Sequence, residues 1–196
     1  MKDILLATLK IVVFLLILPL IAASFIAFQS QILSLPVNKE AWVLWGAGTY
    51  VALNLFVYNF ENVYTFGNSL VEKMAPFFKA AGYIVPIYTI FLIILYLIAM
   101  LFGRATVLQP YYLFALAFSI TMHLVLTAHV IYEADSGPFK AHYLITFGAI
   151  LIVSLFIISL LLAWAIPEYS LIGFVKSLAS QTTHLYKTIY KSLFVE

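Results

Sequence analysis

The sequence predicts an all-α fold: a polytopic transmembrane helical bundle of about five spans, with an interfacial segment and a C-terminal amphipathic helix. Five stretches, 11–38, 41–60, 80–103, 105–132 and 141–167, hold no Asp, Glu, Lys or Arg, and each is 20 residues or longer. About 20 apolar residues at 1.5 Å rise cross the hydrocarbon core of a bilayer. Composition agrees, with 65% hydrophobic residues, 9% charged and a mean hydropathy of +1.09, where soluble domains carry about 25% charged residues. The spans are read as helices because an open strand in lipid leaves its backbone groups unpaired.

A transmembrane domain is expected over 1–167, with spans at about 8–28, 41–58, 83–102, 110–131 and 143–166. The first resembles a secretory signal, with a basic start and small residues at Ala22, Ala23 and Ser24. Its apolar run is longer than a signal's core, so an uncleaved first helix is expected. The second carries Gly46, Gly48 and Ala52, a small-residue face that lets helices pack closely. Pro86 and Pro110 stand near the starts of the third and fourth, where a missing N–H costs little. Trp42, Trp45 and Trp164 near span ends fit aromatic belts.

Pro36 and the Lys39/Glu40 pair mark the first connector, Arg104 the third, and Ser136-Gly137-Pro138 a turn in the fourth. The second connector, 61–79, is the longest. Glu61, Glu72, Lys73 and Lys79 hold it out of the hydrocarbon, while Val63, Phe66, Leu70, Val71, Met74, Phe77 and Phe78 recur at helical spacing. An interfacial or re-entrant helix is expected there. Residues 168–196 form a separate tail. Leu171, Phe174, Val175, Leu178, Leu185, Ile189 and Leu193 line one face, against Lys176, Ser180, His184, Lys187 and Lys191 on the other. Such a helix lies in the membrane surface or docks on a partner subunit.

Orientation stays open at this level. Lys2 and Lys10 argue for a cytoplasmic N-terminus, and Lys176, Lys187 and Lys191 for a cytoplasmic C-terminus. Five crossings put the ends on opposite sides; a dipping 61–79 segment that adds one puts them together.

Several function classes are disfavoured. Ten basic and eight acidic residues, dispersed along the chain, make no nucleic-acid footprint. With no cysteine there is no disulfide, thiolate metal site or Cys nucleophile. H-E-x-x-H, G-x-S-x-G, G-x-G-x-x-G and Walker motifs are all missing. The spans carry no charge between their ends, which disfavours ion-coupled transport. No cofactor is expected.

The fourth span is the most polar. Ser119, His123 and Thr127 follow i, i+4, i+8, with Tyr112 and Glu133 near the same stripe and His129 well round from it. Such a stripe faces the bundle interior. His123 is the residue to weigh as metal ligand, haem ligand or proton relay. A bis-His haem site needs a second imidazole at matching depth on another helix. A metal site needs carboxylates such as Glu61, Glu133 or Asp135 to come in from the connectors. The plainer reading is an interhelical hydrogen bond to Ser, Thr, Tyr or Asn54. Ser119, His123, Thr127, Asn54 and Asp135 are the candidates for a polar intramembrane site, with no metal assigned to them.

Two stretches carry a resemblance. NVYTFGNSLVEKMAPFFKAAGYIVPIYTIFLIILYL and TMHLVLTAHVIYEADSGPFKAHYLI resemble regions of small membrane metallopeptidases related to the site-2 proteases, over about residues 36–165. In that family an H-E-x-x-H motif holds zinc. This chain reads Asn68-Ser69-Leu70-Val71-Glu72 there, and Asn and Ser replace neither the imidazoles nor the Glu that activates water. His123 and Asp135 match later positions. The resemblance therefore implies a relative that kept the scaffold and lost the reaction.

The function expected first is a non-catalytic integral membrane protein, an accessory or structural subunit of a larger complex. It would lie in a bacterial-type inner or plasma membrane, with lipid and other membrane subunits as partners. A metallopeptidase-like enzyme or pseudo-enzyme is the second expectation. A small-molecule or lipid carrier, with a cavity lined by Ser119, His123, Thr127 and Asn54, is the third.

Overall fold

The computed structural model describes residues 2–75, 81–137 and 140–194. These form α1 (Lys2–Leu33), α2 (Val37–Phe56), α3 (Glu61–Met74), α4 (Ala81–Ile84), α5 (Ile87–Leu101), α6 (Ala105–Ala134), α7 (Ala141–Ala165) and α8 (Leu171–Phe194). The described residues include no strand. Phe77, Phe78 and Lys79 of the expected interfacial segment, and Pro138 of the expected turn, lie outside the described residues.

The chain is an all-helical, multi-pass membrane protein. Ile4–Leu33, Val107–Ala134 and Ala141–Trp164 are long and apolar enough to cross a bilayer. A fourth crossing is added if Asn38–Phe56 and Glu61–Met74, bent by 117° at their junction, count as one span. The expected spans at 41–58 and 83–102 are the weaker ones. The first ends at Phe56 and carries Lys39 and Glu40 at its start. The second is divided at Val85 and Pro86 into α4 and the 15-residue α5. Proline has no N–H for the carbonyl four residues back and its ring crowds that carbonyl, so a helix stops there. At 1.5 Å per residue α5 is about 22 Å long, short of the ~30 Å core.

Successive long helices run in alternating directions. Gly46 meets Phe114 and Tyr50 meets Phe118, so α2 and α6 run parallel. Thr89 pairs with Ser119 and Tyr96 stacks on Tyr112, so α5 runs against α6. Ile21 lies against Gly148 while Lys10 and His142 border one depression, so α1 and α7 run parallel. Ile93, Leu113, Leu116, Ile158 and Leu162 form the larger apolar core between α5, α6 and α7. Outward, Leu5, Leu9, Leu15 and Leu16 of α1 are exposed, as lipid-facing residues are. Lys39 Nζ, 2.5 Å from Glu168 Oε1, fastens the start of α2 to the connector after α7.

Gly46 is the close approach between α2 and α6. A Cβ there would stand 2.2 Å from the Phe114 carbonyl oxygen. Gly48 and Ala52, expected on the same packing face, are exposed instead, and Gly48 opens on empty space. Helical spacing explains this, since positions two apart point about 200° from one another.

The expected helix at 61–79 forms as α3, but on a different face. Its buried residues are Tyr64, Gly67 and Val71, whereas Phe66, Leu70 and Met74 are exposed. The tail forms α8, which packs antiparallel along α1. Ser177 Oγ lies 3.3 Å from Ser30 Oγ, and the Tyr186 hydroxyl donates to the Leu16 carbonyl at 2.6 Å. Pro19 lies in the next turn of α1 and has no N–H for the Leu15 carbonyl, the neighbour of the Leu16 acceptor. Leu171, Phe174, Leu178 and Leu185 turn inward, while Val175, Ile189 and Leu193 of the same expected stripe are exposed.

Candidate functional site

Positions four apart share one face of a helix, and α6 uses this to present Ser119, His123 and Thr127 together. All three are buried. Thr127 Oγ1 lies 2.6 Å from the Tyr64 hydroxyl of α3, and Ser119 Oγ lies 3.0 Å from Thr89 Oγ1 of α5. His123 stands between, its ring centroid 6.1 Å from that of Tyr64. It faces the backbone of Tyr83 in α4, and its Nε2 has no hydrogen-bond partner.

The break at Pro86 explains why polar groups gather here. With α4 ending at Ile84, the last carbonyls of that turn have no continuing N–H to accept from. Two side chains from other helices face this turn: His123, and Ser154 of α7, whose Oγ approaches the Ile84 carbonyl at 3.5 Å. Irregular backbone at membrane depth is tolerated only where protein groups of this kind surround it. Tyr88, two residues past the break, donates to the Val63 carbonyl at 2.5 Å and joins α5 to α3.

A small chamber of about 10 Å³ lies among these groups, walled by Tyr64, Asn68, Pro86, Tyr88, Ser119 and His123. Thr127, bonded to Tyr64, is not one of its walls, and neither is the half-buried Asn54 of α2. Asp135 is elsewhere altogether. It ends α6, 12 residues beyond His123, or about 18 Å along the helix. Its two carboxylate oxygens accept from the Gly137 N–H at 2.8 Å and the Tyr143 N–H at 2.7 Å, capping the first turn of α7. Those N–H bonds hold its carboxyl below the ordinary carboxylate range. Lys140 answers from the other side, its Nζ donating to the Tyr132 carbonyl at 3.0 Å and to the Asp135 carbonyl.

Glu61, Glu133 and His129 form a second polar group at the same end. His129 Nε2 lies 2.9 Å from Glu61 and 3.3 Å from Glu133, all well exposed. Among the described residues no group of three His, Asp or Glu is arranged to hold a metal ion. In the stretch Asn68-Ser69-Leu70-Val71-Glu72, Asn68 borders the chamber, Ser69 donates back to the Phe66 carbonyl at 2.8 Å, and Glu72 is exposed.

The structure thus joins Ser119 and His123 at one chamber, bonds Thr127 beside it, and leaves Asn54 and Asp135 apart. It adds Tyr64, Asn68, Tyr88 and Thr89, which the polar stripe of α6 does not announce. A signal for two of them exists: Tyr64, Gly67, Asn68 and Val71 share a helical face that an apolar stripe drawn through Val63, Phe66 and Leu70 passes over. No protein-family model, curated protein or solved structure matches this chain.

Proposed function

We propose that this chain is a non-catalytic integral membrane subunit, crossing a bacterial-type inner or plasma membrane five times and holding together a larger membrane assembly. The supporting observation is the use made of the interior polar groups. Tyr64–Thr127, Thr89–Ser119 and Tyr169–Ser159 each join two parts of the fold at 2.6, 3.0 and 2.8 Å. They fasten helices and do not converge on a reacting centre. The test is native mass spectrometry, with metal analysis, of the chain purified in mild detergent. Stoichiometric companion subunits without metal support the reading; a lone chain carrying about one zinc overturns it.

Five crossings follow from α1, α2, α4–α5, α6 and α7 in turn, and the alternating helix directions support that path. The absence of cysteine makes single-cysteine labelling clean. Ser34→Cys and Arg104→Cys should label from one side of the membrane, and Asn59→Cys and Ser136→Cys from the other. On this reading α8 is also a helix that leaves α1 to lie on the membrane surface or on a partner.

A second reading is a metallopeptidase relative without its reaction. What favours it is that α3, which carries Asn68-Ser69-Leu70-Val71-Glu72, packs on the His123 face of α6. Restoring the motif helix, with Asn68→His, Ser69→Glu and Glu72→His together, should create zinc binding if the scaffold is of that kind; failure to bind removes this reading.

A further inference from the structure

Docked along α1, α8 presents a polar stripe where lipid belongs. Lys176, Ser180, His184, Lys187 and Lys191 succeed one another at three- and four-residue steps, and all are exposed. The Tyr186 hydroxyl bonds the Leu16 carbonyl, and Leu16 lies near the middle of Ile4–Leu33, the stretch of α1 long enough to cross a bilayer. His184 and Lys187, on either side of Tyr186 in the chain, therefore stand near mid-span. Ionisable groups turned toward hydrocarbon are costly there. On the docked side, Thr182 Oγ1 is buried without a hydrogen-bond partner.

The apolar stripe of α8 is only half used. Leu178, Leu185, Ile189 and Leu193 share a face, but the last two are exposed. Every residue from Tyr186 to Phe194 is exposed. Over its 24 residues α8 carries three lysines and no Asp or Glu. It starts just past the connector that Lys39 fastens through Glu168, at one end of the bundle. From that end the helix can lie in the plane of the bilayer surface. There its whole apolar stripe meets acyl chains and its lysines meet headgroups.

We propose that α8 binds the surface of an anionic bilayer, with Lys176, Lys187 and Lys191 as the residues that read lipid charge. The inference rests on the reading that α8 leaves α1, and it names the surface that draws it away. It does not require the chain to be a subunit of a complex. A second copy is a poor occupant, since it would set one lysine stripe against another. No Asp or Glu of α1, α2, α5, α6 or α7 stands away from the helix ends to answer that stripe. Each lysine near an anionic surface shifts the balance about fivefold, and three together roughly a hundredfold.

The test places the full chain in lipid nanodiscs, spin-labelled at Leu9→Cys and Ser192→Cys, which the lack of native cysteine permits. The register set by Ser177 on Ser30 and Tyr186 on Leu16 brings these two positions together when α8 is docked. The short distance should dominate in phosphatidylcholine discs. In discs rich in phosphatidylglycerol it should give way to one longer by tens of ångströms, because α8 is about 36 Å long. Salt at 1 M, where screening acts beyond about 3 Å, should restore the short distance. Lys176→Gln, Lys187→Gln and Lys191→Gln together should abolish the response, and each alone should cut it about fivefold. A short distance in both bilayers overturns the inference and leaves the stripe to a protein partner. A long distance in both keeps the reading that α8 leaves α1 but overturns the part played by lipid charge, as does a response that survives in the triple variant.

Discussion

The Tyr64 hydroxyl lies 2.6 Å from Thr127 Oγ1, and both side chains are buried. This single bond ties the helix that follows the 117° bend to the long polar helix α6. It is the clearest case in this fold of a polar pair acting between helices where the hydrophobic effect offers little discrimination.

Removing either hydroxyl should therefore loosen α3. Tyr64→Phe and Thr127→Val are each expected to lower stability by about 1 kcal/mol, since each leaves a buried hydroxyl unpaired. The double variant should cost less than the sum, with a coupling of about 0.6 kcal/mol or somewhat more. Reversible unfolding in bicelles measures this; strict additivity would show that the two hydroxyls act separately.

Gly46 and Gly48 should respond in opposite ways. Gly46→Ala places a methyl 2.2 Å from a backbone oxygen on α6, which cannot swing aside as a side chain can. Overpacking of this kind costs about 1–3 kcal/mol. A Cβ at Gly48 meets nothing within 4 Å, so Gly48→Ala should be neutral or stabilising by up to about 1 kcal/mol. A large loss at both positions would contradict the α2–α6 packing described here.

Asp135 should give the α6–α7 turn a pH dependence on the acid side. Its folded carboxyl is held below the ordinary value of 3.8, chiefly by the N–H groups of Tyr143 and Gly137. A depressed carboxylate contributes stability that is complete above the unfolded value and fades as pH falls through the folded one. The loss belongs below about pH 4. Asp135→Asn, which lacks that contribution, should melt earlier at neutral pH and show a flatter acid limb. An unchanged acid limb in the variant would assign the effect to other groups.

Docking of α8 on α1 should tolerate a methyl at Gly173, where a Cβ would meet the movable tip of Gln31 at 2.9 Å, but not a bulky side chain, since the Ser170 Cβ stands 3.1 Å away as well. Gly173→Leu is expected to release α8 and leave α1 to α7 folded. Hydrogen exchange should then rise along 171–194 alone, and trypsin should cut after Lys176 and Lys187 about tenfold faster, a penalty of roughly 1.4 kcal/mol. Tyr186→Phe, which removes the bond to the Leu16 carbonyl, should do the same more weakly.

The polar stripe of α6 was legible because a 30-residue helix enforces its period, so Ser119, His123 and Thr127 had to share a face. Asn54 and Asp135 resemble the members of that stripe in residue type alone. Sequence spacing does not say that Asp135 is needed at the start of α7, or that Asn54 falls outside the chamber. Equally, Pro86 stands in plain view, but its effect near the start of a span depends on whether the helix continues behind it. It does so as α4, and a harmless first-turn proline becomes a break between two helices beside His123.

Charge-free length alone determined that this chain is helical and built for a bilayer, because backbone groups in hydrocarbon must pair within their own helix. Which faces meet was decided only by tertiary structure. A membrane helix is apolar nearly all round, so hydrophobic periodicity cannot choose its inner side. The choice fell to a few short-range features: a glycine that admits a neighbouring backbone at Gly46, hydroxyl pairs such as Tyr64 and Thr127, and a helix broken beside His123.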